Sequence, residues 1–231
     1  MDRLVKKSTS SQVTANAAYC NMVIVDHESL LLLKACEEMQ ALTITLLEEM
    51  ALNCKETGDH VIRVGVFAAL LAKLDGQNHC FCEHIRLAAQ LHDVGKVTVS
   101  EHILKKQGQL NADEREQMKL HARKGYELLS GRDNSIITMA SHLALDHHER
   151  WDGSGYPNSK KGKEISFEGR ITAIADVFDA LASKRYYKAA WSLAAIKEKI
   201  AADIGKQFDP HLGQLFIDNI EQFYALYHEH C

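Results

Sequence analysis

Proline is almost absent from this chain, and its scarcity limits the folds that the sequence can adopt. Only two prolines, Pro157 and Pro210, occur in 231 residues. Proline breaks a helix interior, whereas alanine, leucine, glutamate, lysine and methionine, which are plentiful here, favour helix. Apolar residues recur every three to four positions along much of the chain, which is the repeat of one helix face. The sequence therefore predicts an all-α fold.

Size and charge exclude several classes of protein. An apolar content of 46% with 25% charged residues is typical of one folded domain of this length. The formal net charge of −4 provides no basic surface for duplex nucleic acid or anionic lipid. No apolar run approaches the roughly 18 residues of a membrane span, and no secretory leader opens the chain. We expect a cytoplasmic protein that binds neither duplex nucleic acid nor membranes.

The first quarter of the chain divides into two segments. Residues 1–28 are mostly polar and lack a repeat, so we predict a disordered or frayed start. Residues 29–55 carry an apolar stripe and are predicted to form a leading amphipathic helix. We interpret the stripe as core packing; the alternatives are a homodimer through residues 29–55 and a helix that relays a signal from partner proteins. Residues 56–231 are predicted to form the main domain.

Within this domain, helices are predicted from spacing, caps and breakers. Two glycine-containing loops separate them, at about 95–110 and 150–166, and the second also contains Pro157. Long loops in compact domains are usually functional. The predicted helices lie at about 59–74, 83–94, 111–130, 134–148, 168–182, 193–204 and 210–227.

The six cysteines include no CxxC pair and are interpreted as reduced thiols. Among them, Cys80 and Cys82 lie between His79 and His84, but the spacing is not that of a zinc site. We interpret this cluster as a helix start with two buried thiols.

Histidine placement is the main clue to function, because histidine is the commonest metal ligand. The pair His92 and Asp93 ends a predicted helix, and further ligand-type residues lie on different predicted helices. Glu56 and His60 are four residues apart, so they share a helix face and can bind one cation. Asp93 has two oxygens and can bridge two cations, as in two-metal hydrolases. The remaining candidates are His121, His147, His148 and Asp176.

Five strings in the sequence resemble the HD-GYP family of metal-dependent HD phosphohydrolases. They are ETGDHVIRVG at 56–65, HDVGK at 92–96, HHERWDGSGYP at 147–157, GRITAIADVFDALASKRYYK at 169–188 and FDPHLGQLF at 208–216. The resemblance covers about residues 52–219. It implies an HD-type helical bundle with an inserted GYP loop and extra C-terminal helices.

The same resemblance implies roles for individual residues. Lys96 is expected to lie against the scissile phosphate and to act with His92 and Asp93 in catalysis. Arg185 and Lys188 are expected to grip the other phosphate and a guanine, with Gly155 and Tyr156 of the GYP loop also in the substrate site. The implied metal ligands are Glu56, His60, His92, Asp93, His121, His147, His148 and Asp176.

Four further expectations come from the residues alone. Without the resemblance, Lys96 is interpreted as a cation at a helix end, where the helix dipole favours positive charge. Gly153 and Gly155 are expected to supply positive φ angles. Asp152 is expected to orient a ligand histidine. Asp179 is interpreted as a surface or capping carboxylate.

The function implied is hydrolysis of cyclic di-GMP to pGpG, and onward to GMP, with two or three divalent metal ions, Fe or Mn. Two alternatives stay open. One is a cyclic di-GMP receptor that binds without turnover, and the other is a hydrolase of another cyclic dinucleotide such as cyclic GMP-AMP.

Overall fold

The computed structural model describes residues 58–183 and 191–229, together with Lys34, Glu38, Ala41, Leu42 and Thr45. Within these residues the regular structure is helical, with one isolated bridge between Ile204 and Phe208. The all-α prediction is therefore confirmed. The predictions for residues 1–28 and for a helix over 29–55 fall almost entirely outside the described residues, and the boundary at 56 lies outside them.

Helical segments follow one another with short connections. Short 3₁₀ turns occupy Ala89–Leu91, Val94–Thr98 and Gly162–Glu164. The α-helices are α1 (Gly58–Leu74), α2 (His79–Ala88), α3 (Glu101–Leu104), α4 (Ala112–Leu129), α5 (Ser135–Asp146), α6 (Phe167–Ala182), α7 (Leu193–Asp203), α8 (Pro210–Asp218) and α9 (Ile220–Glu229).

Helix α1 is the centre of the bundle, and it packs against α2, α6, α8 and α9. On one side α2 and α6 also contact α5, which pairs with α4. On the other side α7 packs against α6 and α8. Helices α1 and α6, which carry His60 and Asp176, therefore lie against each other, and α5 lies between α6 and α4, which carries His121.

Four buried phenylalanines join the central helices to the C-terminal ones. The ring of Phe178 lies 4.9 Å from Phe67 and 5.3 Å from Phe216, and Phe216 lies 4.5 Å from Phe223. All four side chains are fully buried. Each such burial contributes roughly 1.5–3 kcal/mol, so this cluster fixes α1 and α6 relative to each other.

Helix ends follow the chemistry of their capping residues. Asn111 begins α4 with a capping box: its side chain accepts from the Glu114 N–H, while Glu114 accepts from the Asn111 N–H. Gly76, at φ +85°, ends the turn after α1, and the Gln77 N–H reaches the Ala72 carbonyl at 3.0 Å. Both ends agree with the sequence prediction.

The predicted helices differ from the observed ones at three places. The helix predicted over 83–94 begins at His79 and ends at Ala88, because the backbone tightens into 3₁₀ turns before and after His92. Residues 101–104 form the short helix α3 inside a predicted loop. The helix predicted over 210–227 is two helices, because the chain bends at Asn219 and turns Ile220 and Phe223 into the core.

The predicted pair of buried thiols is half correct. Cys82 is buried, whereas Cys80 is exposed with its Sγ 3.6 Å from His84 Nε2. Neither belongs to a group of potential metal ligands among the described residues.

Candidate metal centre

The HD pair lies between two 3₁₀ turns and directly against α4. A Cβ atom on Gly95 would lie 1.9 Å from the His121 carbonyl oxygen and 2.5 Å from the Gly125 nitrogen. Because both neighbours are backbone atoms of a helix, only glycine permits this approach. The approach brings His121 of α4 beside Asp93.

Two groups of potential ligands share Asp93. In the first, one atom each of Asp93, His121, His147 and His148 lies within 4.8 Å of the others. His121 Nε2 is 3.1 Å and His147 Nε2 is 3.7 Å from Asp93 Oδ1.

The second group consists of His60, His92 and Asp93. His92 Nε2 lies 3.1 Å from Asp93 Oδ2, which is the other carboxylate oxygen. The two oxygens of Asp93 therefore face different sets of histidines. This is the arrangement expected of a carboxylate that bridges two cations.

Hydrogen bonds to the backbone determine which histidine nitrogens carry protons. His92 Nδ1 lies 2.8 Å from the Ala89 carbonyl, and His121 Nδ1 lies 2.6 Å from the Met118 carbonyl. His147 Nδ1 lies 3.0 Å from the Ala144 carbonyl. Since a carbonyl only accepts, each Nδ1 donates. In the neutral ring, Nε2 then carries a lone pair.

These lone pairs converge on a carboxylate, which is unfavourable unless positive charge lies between them. Asp93 Oδ1 is buried and accepts no hydrogen bond from the described residues. His121 Nε2 and His147 Nε2 are 3.5 Å apart, and neither donates in the tautomers deduced above. Nitrogen and oxygen donors in this arrangement fit divalent Fe, Mn or Zn.

Electrostatics keep the potential ligands in their metal-binding forms. Burial raises the pKa of Asp93, but nearby positive charge, that of Lys96 first, outweighs burial and holds that pKa well below its usual range. Burial lowers the pKa of His147 and lowers that of His148 strongly. At neutral pH the carboxyl is therefore ionised and these two imidazoles are neutral.

On the α1 and α6 side, His60 lies between two carboxylates. Its Nε2 is 3.6 Å from Asp176 Oδ1, as two ligands of one cation would be. Its Nδ1 donates to Asp179 Oδ2 at 2.7 Å. Asp179 is only 1% exposed, so its interpretation as a surface or capping carboxylate is wrong. It lies inside because Arg63 pairs with it.

Lys96 lies within the site and not at a solvated helix end. Its Nζ donates to Asp93 Oδ2 at 2.6 Å, and its side chain is only 15% exposed. A compact ammonium charge beside a bridging carboxylate can also contact a phosphoryl oxygen.

The GYP loop covers one edge of the site. The Tyr156 ring lies 4.8 Å from the His148 ring at an angle of 30°. Gly153 has φ +86°, as expected. Gly155 does not have a positive φ; it is needed because a Cβ there would lie 2.4 Å from the Arg150 nitrogen and 2.5 Å from Glu149 Cα. This contact brings Tyr156 close to the histidine pair.

Sequence reasoning missed the carboxylate that holds this loop. Glu149 is 2% exposed, and it accepts from the Asn158 N–H at 2.7 Å and the Lys160 N–H at 3.0 Å. Asp146 adds an ion pair with Lys160 Nζ at 2.6 Å. The available signal in the sequence was the acidic residue directly after the two histidines, in the string HHE.

Asp152 does not orient a ligand histidine, contrary to expectation. It is exposed, and its Oδ1 accepts from the Ser154 N–H at 2.9 Å and from the Ser154 hydroxyl at 2.6 Å. The carboxylate stabilises its own turn. Three predicted site residues, Glu56, Arg185 and Lys188, lie outside the described residues.

Comparison with known proteins identifies the family. The HD domain family model matches residues 34–212. The chain belongs to the HD domain family. Together with the HD, HHE and GYP motifs, its relatives place it in the HD-GYP group, as predicted.

Curated relatives are named as cyclic dinucleotide phosphodiesterases. The chain is 41% identical to the 3'3'-cGAMP-specific phosphodiesterase 2 of Vibrio cholerae, over 82% of this chain and 36% of the relative. It is 47% identical to the cyclic di-GMP phosphodiesterase response regulator RpfG of Xanthomonas campestris, over 64% and 39%. Its identity to the cyclic di-GMP phosphodiesterase of Thermotoga maritima is 40%, over 70% and 44%. This HD-GYP chain thus spans less than half the length of these relatives.

Solved structures support the fold. The crystal structure of a cyclic GMP-AMP-specific phosphodiesterase of V. cholerae, V-cGAP3, matches with a TM-score of 0.60 at 18% identity, over 84% of this chain and 50% of that one. The HD domain of the Listeria monocytogenes phosphodiesterase PgpH, in complex with cyclic di-AMP, matches with a TM-score of 0.53 at 18% identity, over 78% and 95%. Among the described residues, no helix is long and apolar enough to cross a membrane.

Proposed function

We propose that this HD-GYP domain is a metal-dependent phosphodiesterase that hydrolyses cyclic di-GMP to pGpG, and onward to GMP. The observation that carries the proposal is the buried carboxylate of Asp93, which shares its two oxygens between two groups of histidines. The relatives named above direct the choice of substrate class.

The proposed metal set is two or three Fe or Mn ions. Divalent ions bound here supply positive charge for the phosphoryl oxygens and lower the pKa of a bound water. Asp93 is the proposed bridge between two positions. The proposed ligands around it are His60, His92, His121, His147, His148 and Asp176, with Glu56 for a third ion.

Several side chains have proposed roles toward the substrate. Lys96, beside Asp93, contacts a non-bridging oxygen of the scissile phosphate and offsets its negative charge. Tyr156 packs against a base at the edge of the site, and Gly155 permits the close backbone approach that places Tyr156 there. Arg185 and Lys188 bind the second phosphate and a guanine.

A second substrate, 3'3'-cGAMP, is favoured by the relative that carries this specificity in its name. Guanine and adenine differ in the hydrogen bonds they offer, so a few hydrogen bonds to the second base would separate the two substrates. A receptor that binds without turnover is a third function, and it has no evident need for so many metal ligands.

The proposed function is tested by metal analysis and product identification. We expect protein purified without oxygen to contain at least two Fe or Mn ions and to convert cyclic di-GMP into pGpG in preference to 3'3'-cGAMP. Tight nucleotide binding without product would favour the receptor. Preferential turnover of 3'3'-cGAMP would favour the second substrate.

Substitution of the HD pair gives the sharper test. The double variant His92→Ala and Asp93→Ala should lose bound metal and all turnover while remaining folded, because neither ion keeps its ligand set. His142→Ala is the matched control, since His142 is exposed and pairs with Glu168 outside the site. Full turnover of the double variant in saturating Mn would contradict the proposal.

Substitution of both Arg185 and Lys188 by alanine should instead raise KM strongly and leave the metal content unchanged, because these side chains are proposed to bind substrate only. An unchanged KM, or a parallel loss of metal, would remove them from the substrate site.

A further inference from the structure

Among the histidines of the two ligand groups, His60 is supported differently from His92, His121 and His147. The Nδ1 atoms of those three donate to backbone carbonyls, as described above. His60 Nδ1 donates to the side chain of Asp179. The orientation of His60 therefore depends on a side chain that can be changed by substitution.

Asp179 is itself held by Arg63. Arg63 Nε donates to Asp179 Oδ1 at 2.5 Å, and Arg63 Nη2 donates to Oδ2 at 3.1 Å. Ser183 adds contacts to both, with its Oγ 3.1 Å from Arg63 Nη2 and 3.3 Å from Asp179 Oδ2. A two-pronged contact of this kind fixes the plane of the carboxylate.

The helix repeat places these residues in two layers. Arg63 follows His60 by three residues on α1, and Asp179 follows Asp176 by three residues on α6. Residues three apart lie on the same helix face, one turn from each other. His60 and Asp176 thus form the layer nearer the metal position, and Arg63 and Asp179 form the layer behind it.

Burial explains why the layer behind must be an ion pair. The side chains of Arg63 and Asp179 are 8% and 1% exposed. A carboxylate buried this deeply is costly unless it is paired and hydrogen-bonded. Arg63 keeps the carboxylate ionised, and an ionised carboxylate on Nδ1 makes the opposite nitrogen of His60 a better ligand.

We propose that Asp179 and Arg63 are positioning residues that set the affinity of the metal bound by His60 and Asp176, without touching the metal. The position formed by His121, His147 and His148 shares Asp93 with the first, but His121 and His147 are oriented by backbone carbonyls, so we expect its affinity to change little. The proposal rests on the proposed function, since it requires that metal ions bind at Asp93.

The test is metal binding by Asp179→Asn, measured without substrate. Metal-free protein is titrated with Mn²⁺, and free and bound Mn²⁺ are separated by electron paramagnetic resonance. We expect one site to weaken by about 10- to 100-fold and the others to keep the wild-type affinity. Arg63→Lys keeps the charge but loses the two-pronged contact, so it should weaken the same site by a smaller factor.

The matched control is Asp209→Asn. Asp209 is also a buried carboxylate, 5% exposed, and it pairs with Arg170 at 2.5 Å. Its substitution removes a similar ion pair from the same bundle. We expect a lower melting temperature with wild-type Mn²⁺ binding.

The outcomes separate the positioning role from the function on which it rests. Wild-type Mn²⁺ affinity at every site in both Asp179→Asn and Arg63→Lys would overturn the positioning role and leave the proposed function standing. Equal weakening of all sites would also overturn it. Wild-type protein that binds no metal would overturn both. If Asp179→Asn does not fold, Arg63→Lys decides the question.

Discussion

Replacement of Glu149 by alanine should loosen the GYP loop while leaving the metal ligands in place. The Glu149 carboxylate accepts two backbone N–H groups, from Asn158 and Lys160, just after Tyr156 and Pro157 in the chain. The histidines His147 and His148, in contrast, are placed by α5 and by the backbone at its end. The loss should therefore concern the loop and the substrate, and not the metals.

The magnitude follows from these two contacts. A hydrogen bond to a charged group contributes about 1.5–3 kcal/mol, so two contribute about 3–6 kcal/mol. Part of this free energy is regained in the variant, because a loosened loop lets water bind both N–H groups. Burial also raises the pKa of Glu149, so removing the buried charge has a favourable component. We expect a net loss of about 2–3 kcal/mol in the free energy of unfolding.

Calorimetry and kinetics measure the two consequences. In a protein of this size, 2–3 kcal/mol corresponds to a decrease of about 4–12 °C in Tm. KM for cyclic di-GMP should rise because Tyr156 no longer packs in one position, and bound metal should stay at the wild-type level. Glu149→Gln should fall between alanine and wild type, because its amide keeps one acceptor oxygen and turns an NH₂ group toward the second N–H.

Glu164→Ala is the control from the same loop. Glu164 is exposed and accepts one N–H, from Lys161, at 2.9 Å. Its loss should change the free energy of unfolding by at most about 0.5 kcal/mol. The reasoning fails if Glu149→Ala melts and binds substrate like wild type, or if it loses metal in parallel with activity.

Two further predictions concern the site without substrate. Burial lowers the pKa values of His147 and His148, so both stabilise the folded state above about pH 6.5 and lose this contribution as the pH falls toward the lowered values. In urea unfolding of metal-free protein, the free energy of unfolding should decrease below about pH 6.5 by up to 1.4 kcal/mol per pH unit for each histidine. A free energy of unfolding that does not change with pH would contradict this prediction. Gly95→Ala should lower the free energy of unfolding by about 1–3 kcal/mol and weaken Mn²⁺ binding, because the new Cβ meets the backbone of His121. Gly58→Ala, with no atom within 4 Å of its Cβ, should do neither. Unchanged Mn²⁺ affinity in Gly95→Ala would refute the role of this close approach.

Local sequence determined the helices and most of the candidate ligands. Helix period, the Asn111 cap and the Gly76 stop depend on residues within one or two turns, so the sequence alone predicts them. Spacing and motif were also enough to select His60, which the structure brings into a ligand group with Asp93. The boundaries around His92 could not be predicted, because they depend on α4 packing against the turn.

Tertiary structure alone decided which carboxylates support the site. The sequence favours Asp152 as the residue that orients a ligand histidine and Asp179 as a surface or capping carboxylate, yet Asp179 is buried beside His60 and Asp152 is exposed. The difference arises because α6 packs on α1 and brings Arg63 to Asp179 across 116 positions of sequence. A partner so distant in sequence leaves no local pattern. The spacing of residues therefore identifies which groups can bind metal, and the packing of helices decides which groups hold them in place.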